Sequence, residues 1–144
     1  NRTKLTNMQT LYEELIANIK ADTDVRFIDL DKGQLDKEQP SVSYPCVLID
    51  IDNNIAFEPK AGTIEKAAVN VNFRIAFNIR QSTSQLTSEH IRLDATRYWA
   101  EMNSIFKAIL KTKGAVRQSL SRDRRPGLTA YNMSFTISKH NLKI

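Results

Sequence analysis

The stretch AAVNVNFRIAFNIR, residues 67–80, decides the fold. Val69, Val71, Phe73, Ile75, Phe77 and Ile79 alternate with Asn70, Asn72, Arg74, Ala76, Asn78 and Arg80. Successive side chains on a strand point to opposite faces, so this period of two buries one face and wets the other. Parallel strands are usually covered on both sides, and a long strand with one polar face therefore belongs to an antiparallel sheet.

The flanks extend that sheet. Upstream, Pro45 opens a strand over Cys46–Ile51, where a missing N–H is tolerable. Alternation sends Val47, Ile49 and Ile51 inward and Cys46, Leu48, Asp50 and Asp52 to the other side. Asn53-Asn54 supplies a turn, after which IAFE (55–58) continues the ladder as far as Pro59 and Gly62. VRFIDL (25–30) is β-branched and aromatic enough for a short strand. The polar segment 31–43 contains Gly33 and Pro40 and reads as a loop; its composition suggests that it orders only on assembly.

Two segments carry helical periodicity instead. Met8, Leu11, Tyr12, Leu15, Ile16 and Ile19 form one stripe of a helix over 6–21, with Thr6 and Gln9 as its capping box. Ile91, Ala95, Tyr98, Met102, Ile105, Phe106 and Ile109 form the stripe of a second helix over 88–112, and Gly114 stands where a C-terminal cap would. Residues 116–121 and 128–138 then read as a closing hairpin around the loop RDRRPG (122–127). The expected architecture is a single α+β domain over residues 1–144: a mainly antiparallel sheet with two amphipathic helices packed on one face.

Composition narrows the function. At 144 residues one domain can bury a core without staples. The single cysteine, Cys46, excludes an internal disulfide framework. No apolar run approaches the roughly 18 residues of a membrane span, and neither a membrane segment nor a signal peptide is expected. The net charge of +5 is unevenly spread. Residues 1–66 hold 12 acidic against 8 basic side chains, and residues 67–144 hold 4 against 13, giving −4 and +9. Such asymmetry points to an anionic partner or to association between unlike faces of one protein.

Catalytic chemistry finds little support. Asp50 and Asp52 share a strand face, but a two-metal nuclease needs further acidic ligands and a base, and Glu65-Lys66 lacks the Glu-x-Lys spacing. A solvated strand surface explains the pair better. His90 and His140 lie 50 residues apart with no HxxxH or HExxH spacing. Cys46 reads as a small buried residue and not a nucleophile. No GxGxxG, GxxxxGK or GxSxG occurs. Hence no catalytic, cofactor-binding or metal residue is assigned, and no cofactor is expected.

The arginines carry more. Arg117, Arg122, Arg124 and Arg125 cluster on the last hairpin, and Arg74 and Arg80 share the polar face of the long strand. They suit phosphate contacts without base specificity, or pairing with carboxylates on another subunit. Neither an aromatic platform nor a helix-turn-helix spacing accompanies them. Protein contact is the better reading, because the acidic half of the same chain offers partners.

The order of elements, the strand start YPCVLIDI (44–51) and the long strand VNVNFRIAFNI (69–79) resemble the tail-terminator, or tail-completion, proteins of long-tailed bacteriophages and prophages, a group related to head–tail joining proteins. The likeness spans about Leu11 to Ile137. It implies a structural protein that caps the head-proximal end of a tail tube as a ring, usually of about six head-to-tail subunits. Such a ring ends tube polymerisation and joins tail to head. The implied partners are other copies of the chain, the tail tube protein and the head–tail connector protein, with non-specific contact with channel DNA and none with membrane. The implied location is the head-proximal end of the virion tail, after assembly in the host bacterial cytoplasm. In this picture Asp50, Asp52, Asn53 and Asn54 contact tube or neighbour. Arg122, Arg124 and Arg125 form a second projecting contact, with Arg74 and Arg80 on the polar face. The alternative is a basic nucleic-acid-binding module of a phage or mobile element.

Overall fold

The computed structural model describes residues 7–59, 62 and 65–143. Helix α1 (Met8–Asp22) leads into the short strand β1 (Phe27–Leu30) and a 3-10 turn at Gln34–Asp36. Strands β2 (Cys46–Pro59) and β3 (Glu65–Phe77) form a long hairpin. Helices α2 (Glu89–Ala95) and α3 (Tyr98–Leu110) precede the closing strands β4 (Ala115–Arg125) and β5 (Leu128–His140). The five strands are ordered β1-β2-β3-β5-β4. Every pairing is antiparallel except the parallel edge pair β1–β2.

The alternation read in 67–80 is realised along β3. Val69, Val71, Phe73, Ile75 and Phe77 are buried beneath the helices, joined by Val47, Ile49 and Ile51 from β2 and Met133, Phe135 and Ile137 from β5. Leu11, Leu15 and Ile19 of α1 and Met102, Ile105, Ala108 and Ile109 of α3 close this core from one side. Phe73 meets Phe135 edge to face, with centroids 5.4 Å apart and an interplanar angle of 84°, a favoured arrangement for two quadrupoles. The two helices are tied at one end by Asn18 Nδ2 donating to Thr112 Oγ1 (3.0 Å) and by the Lys111–Asp22 ion pair. The α+β architecture with helices on one face is therefore as the patterning implies.

Several local expectations are corrected. The cap of α1 is Asn7, whose Oδ1 accepts from the Thr10 backbone N–H at 2.7 Å; Thr6, expected to cap it, lies outside the described residues. The second helix is broken at Thr96-Arg97. Thr96 Oγ1 donates back to the Arg92 carbonyl at 2.9 Å, a hydroxyl-to-backbone bond that bends helices. The bend turns Ile91 partly out to 37% exposure, so it leaves the buried stripe. Asn53-Asn54 is not a turn: β2 runs straight on to Pro59. Three residues, Ile51 to Asn53, instead stand opposite the single Val71, which makes a bulge. The supposed loop 122–127 shrinks to Pro126-Gly127, because Arg125 pairs with Leu128. Gly127 has φ 74°, which suits the third position of a turn with proline before it.

The segment 31–43 packs against the sheet of its own chain. Leu35 is buried at 4% exposure against Cys46, Leu48, Ala76 and Ala130, a second small core on the sheet face away from the helices. Asp31 Oδ1 accepts from the Gly33 N–H (3.0 Å), and Gln34 Oε1 accepts from the Lys32 N–H (2.7 Å). Such side-chain-to-backbone bonds give a polar segment its own scaffold.

Candidate interaction surfaces

The expected contact residues separate into four places. Arg74 and Arg125 belong to an ion cluster that clamps the 31–43 segment onto the sheet. Arg125 Nε lies 2.7 Å from Asp123 Oδ2, its Nη1 lies 2.6 Å from Asp36 Oδ1, and it donates to the Leu35 carbonyl at 2.9 Å. Arg74 Nε stands 3.6 Å from both Asp31 Oδ2 and Asp123 Oδ2, too long for a good hydrogen bond. A hydrogen bond from Arg125, with the attraction of its charge, holds the Asp36 carboxyl below its ordinary pKa. That contribution to seating the segment is present above the unfolded carboxylate pKa and is lost as pH falls through the lowered value. These two arginines have partners inside the chain. Sequence reasoning missed Asp31, Asp36 and Asp123 as those partners, since no local spacing links 36 to 125.

Arg80 does not share the face of β3: that strand ends at Phe77, and Arg80 is exposed beyond it. It lines an open cleft of about 990 Å³ between the 31–43 segment and the hairpin tip, with Lys37, Tyr44, Arg125 and Leu128.

The acidic group lies on β2. Asp50 is half-buried, while Asp52, Asn53 and Asn54 are exposed on and beside the bulge. Burial foremost, then the neighbouring Asp31 and Asp52 charges, push the Asp50 carboxyl above its ordinary pKa. Among the described residues no three His, Cys, Asp or Glu side chains come together as metal ligands. Cys46 is fully buried, and burial pushes its thiol up to about 11, which leaves almost no thiolate at neutral pH.

The position of the acidic group within the sheet matters more. β1 pairs with β2 only up to Leu30–Ile49. Among the described residues no strand pairs with the outer side of β2 from Asp50 to Pro59. This decapeptide, DIDNNIAFEP, has three carboxylates and no base, and Phe57 on it is 45% exposed.

The opposite edge is β4, whose eleven residues include four arginines and one aspartate. Arg117, Arg122 and Arg124 are exposed. Arg117 stacks over Phe106 at 3.7 Å, and Arg122 over Tyr131 at 5.2 Å, contacts that hold both guanidinium groups over aromatic rings of their own chain. Val116 and Leu120 add exposures of 57% and 44%. Because β1 and β2 come from the acidic half and β4 and β5 from the basic half, the strand order turns a charge split in sequence into one across the sheet. Further exposed apolar side chains are Leu93 (60%) and Trp99 (57%), on either side of the break between α2 and α3, and Leu86 (87%), in the segment before α2. Helical periodicity gave no sign of it, because the stripe was drawn through an unbroken helix.

Among the described residues no helix is long and apolar enough to cross a membrane. No protein-family model matches the chain, and no curated protein matches it significantly.

Proposed function

We propose that this chain is a structural assembly protein of a tailed bacteriophage or prophage. In this reading it closes the head-proximal end of the tail tube as a ring and offers the head connector a docking surface. The observation that carries the reading is the placing of an acidic and a basic sheet edge on opposite sides of one domain. Association of unlike surfaces generates rings when the rotation closes, and charge complementarity fixes which surfaces meet. The exposed Leu86, Leu93 and Trp99 are then free for tube or connector, since they lie on neither edge.

A direct test adds the purified chain to a polymerising tail tube protein from the same genome. Substoichiometric amounts are expected to stop elongation and give tubes decorated at one end only. Unchanged tube length with no decoration would refute the capping role.

The second reading, a nucleic-acid-binding module, draws on Arg117, Arg122 and Arg124 in a row along β4. It requires retention of DNA that weakens steeply with salt. The five acidic side chains Asp31, Asp36, Asp50, Asp52 and Asp123, on the 31–43 segment, β2 and the hairpin, argue against a broad phosphate-binding face.

A further inference from the structure

We infer that the strip between α3 and β4 binds a single strand of nucleic acid. Its bases stack on Trp99 and on the arginine–aromatic pairs, and its phosphates meet Arg117, Arg122 and Arg124. Such a site rests on the nucleic-acid reading above, to which it gives a place and a ligand class, and does not depend on the capping role.

The fold assembles chemistry that the sequence keeps apart. No aromatic side chain stands between residues 115 and 127, yet the register sets the arginines beside several. Arg117 pairs with Phe135, Arg122 with Tyr131, and Arg124 with Thr129, the partner of Phe77. Phe135 and Phe77 belong to the core beneath the helices, so all three arginines stand on the helix-side face of the sheet.

Helix α3 supplies the facing wall. Trp99, Asn103, Phe106 and Leu110 recur at three- and four-residue spacing, which sets them along one flank of the helix. Phe106 marks that flank as the one toward β4, because Arg117 lies over its ring at 3.7 Å. Tyr98 links the two walls, its ring 6.3 Å from that of Tyr131 and 5.0 Å from that of Trp99. A line of π surfaces thus runs from Arg122 through Tyr131 and Tyr98 to Trp99, whose side chain is 57% exposed.

Single strands suit this arrangement better than duplex does. Unpaired bases can be splayed onto aromatic rings or guanidinium planes, whereas paired bases already stack on one another. The row from Arg117 to Arg124 is about 20 Å long at the rise of a strand, room for several nucleotides. Carboxylates do not interrupt it. α3, β4 and β5 together contain two, Glu101 and Asp123. Glu101 pairs with Arg97 at 3.1 Å and lines a cavity with Asp22 and Thr23, on the flank toward α1. Asp123 pairs in register with Ala130 and joins the Arg125 cluster on the face away from the helices. The same arginines form the basic edge, so a bound strand and a neighbouring subunit compete for them. Trp99 then serves the strand, which leaves Leu86 and Leu93 for tube or connector.

Trp99 is the only tryptophan of the chain, so a base stacked on it quenches the tryptophan emission. Short oligo(dT) and oligo(U) are titrated into dilute protein, with a blunt duplex and poly-glutamate as comparisons. Quenching by the single strands is expected, with an affinity that falls as salt rises. Either strand upholds the inference, and the tighter of the two tells DNA from RNA. Trp99→Ala, read by the anisotropy of a labelled strand, is expected to weaken binding about tenfold, as loss of one stacked base does. Trp99→Phe is expected to keep most of it. Arg122→Ala with Arg124→Ala is expected to lower the slope of log affinity against log salt by about 1.4, the share of two phosphate contacts on a single strand. Arg80→Ala, in the cleft beyond β3, is expected to change nothing, and an equal loss there would show diffuse attraction and overturn the site. Duplex held as tightly as single strand overturns the inference while leaving the nucleic-acid reading in place. Poly-glutamate held as tightly overturns it in favour of an acidic protein partner. No binding of any strand in low salt overturns both the inference and the nucleic-acid reading.

Discussion

Phe73→Ala is expected to lower the free energy of unfolding by about 3–5 kcal/mol, the range for emptying a buried aromatic site. Phe73 is fully buried at the middle of β3. Strands β2 and β5 flank it, paired through Ile49 and Met133, and its ring meets Phe135 edge-on. Strands hydrogen-bonded on both sides hold the backbone in place, so the cavity cannot collapse and the full penalty is felt. Domains of this kind are stable by only about 5–15 kcal/mol, so the variant stands near the limit of folding. A urea titration of the monomer measures the effect. A loss below about 1 kcal/mol would mean that β3 is not the centre of the core.

Gly114→Ala is expected to be nearly as damaging although it removes nothing. Gly114 has φ 90°, a region that disfavours any residue with a Cβ by about 1–2 kcal/mol. The added Cβ would also collide with the carbonyl oxygen of Ser138. The obstacle is backbone, held by the Ser138 N–H donating to the Gly114 carbonyl at 3.1 Å, so relief requires moving the start of β4 away from β5. Together the two effects come to about 3 kcal/mol, as for overpacked sites at strained backbone. Gly127→Ala provides the comparison: its φ is also positive, at 74°, but no atom within 4 Å opposes a Cβ. Thermal melts should separate the two, with the larger drop at Gly114. Equal drops would show that backbone conformation alone governs both sites.

These residues also show what the sequence disclosed and what it withheld. The β3 alternation and the α1 stripe were legible because burial repeats along each element at the period of its geometry. Gly114 was legible as a stop, but not as a contact with Ser138, which depends on how β4 meets β5. Asn53-Asn54 misled because the pair has strong turn chemistry, yet the ladder from Asn54–Asn70 to Pro59–Glu65 continues past it. The break at Thr96-Arg97 was hidden because Tyr98, Met102, Ile105 and Ile109 keep the period after the bend.

The candidate surfaces were legible in chemistry and not in grouping. Asp50, Asp52, Arg122 and Arg124 were marked by charge, and the strand order puts the two pairs on opposite edges. Arg74 and Arg125 bore the same mark but are taken up within the chain, by Asp31, Asp36 and Asp123. What distinguishes the two sets is sheet position. Among the described residues no strand lies beyond the edge residues to supply a partner, whereas the cluster residues are covered by the 31–43 segment. No count of charges along the chain contains that distinction.

The central claim is that the chain assembles head to tail and closes. Its most direct measurement is the mass in solution by light scattering across protein concentration and salt, with negative-stain images of the same samples. The account predicts a discrete ring of about six copies that loosens as salt screens the edge charges. A monomer at every concentration that instead retains DNA in low salt and releases it in high salt would contradict it and establish the nucleic-acid reading.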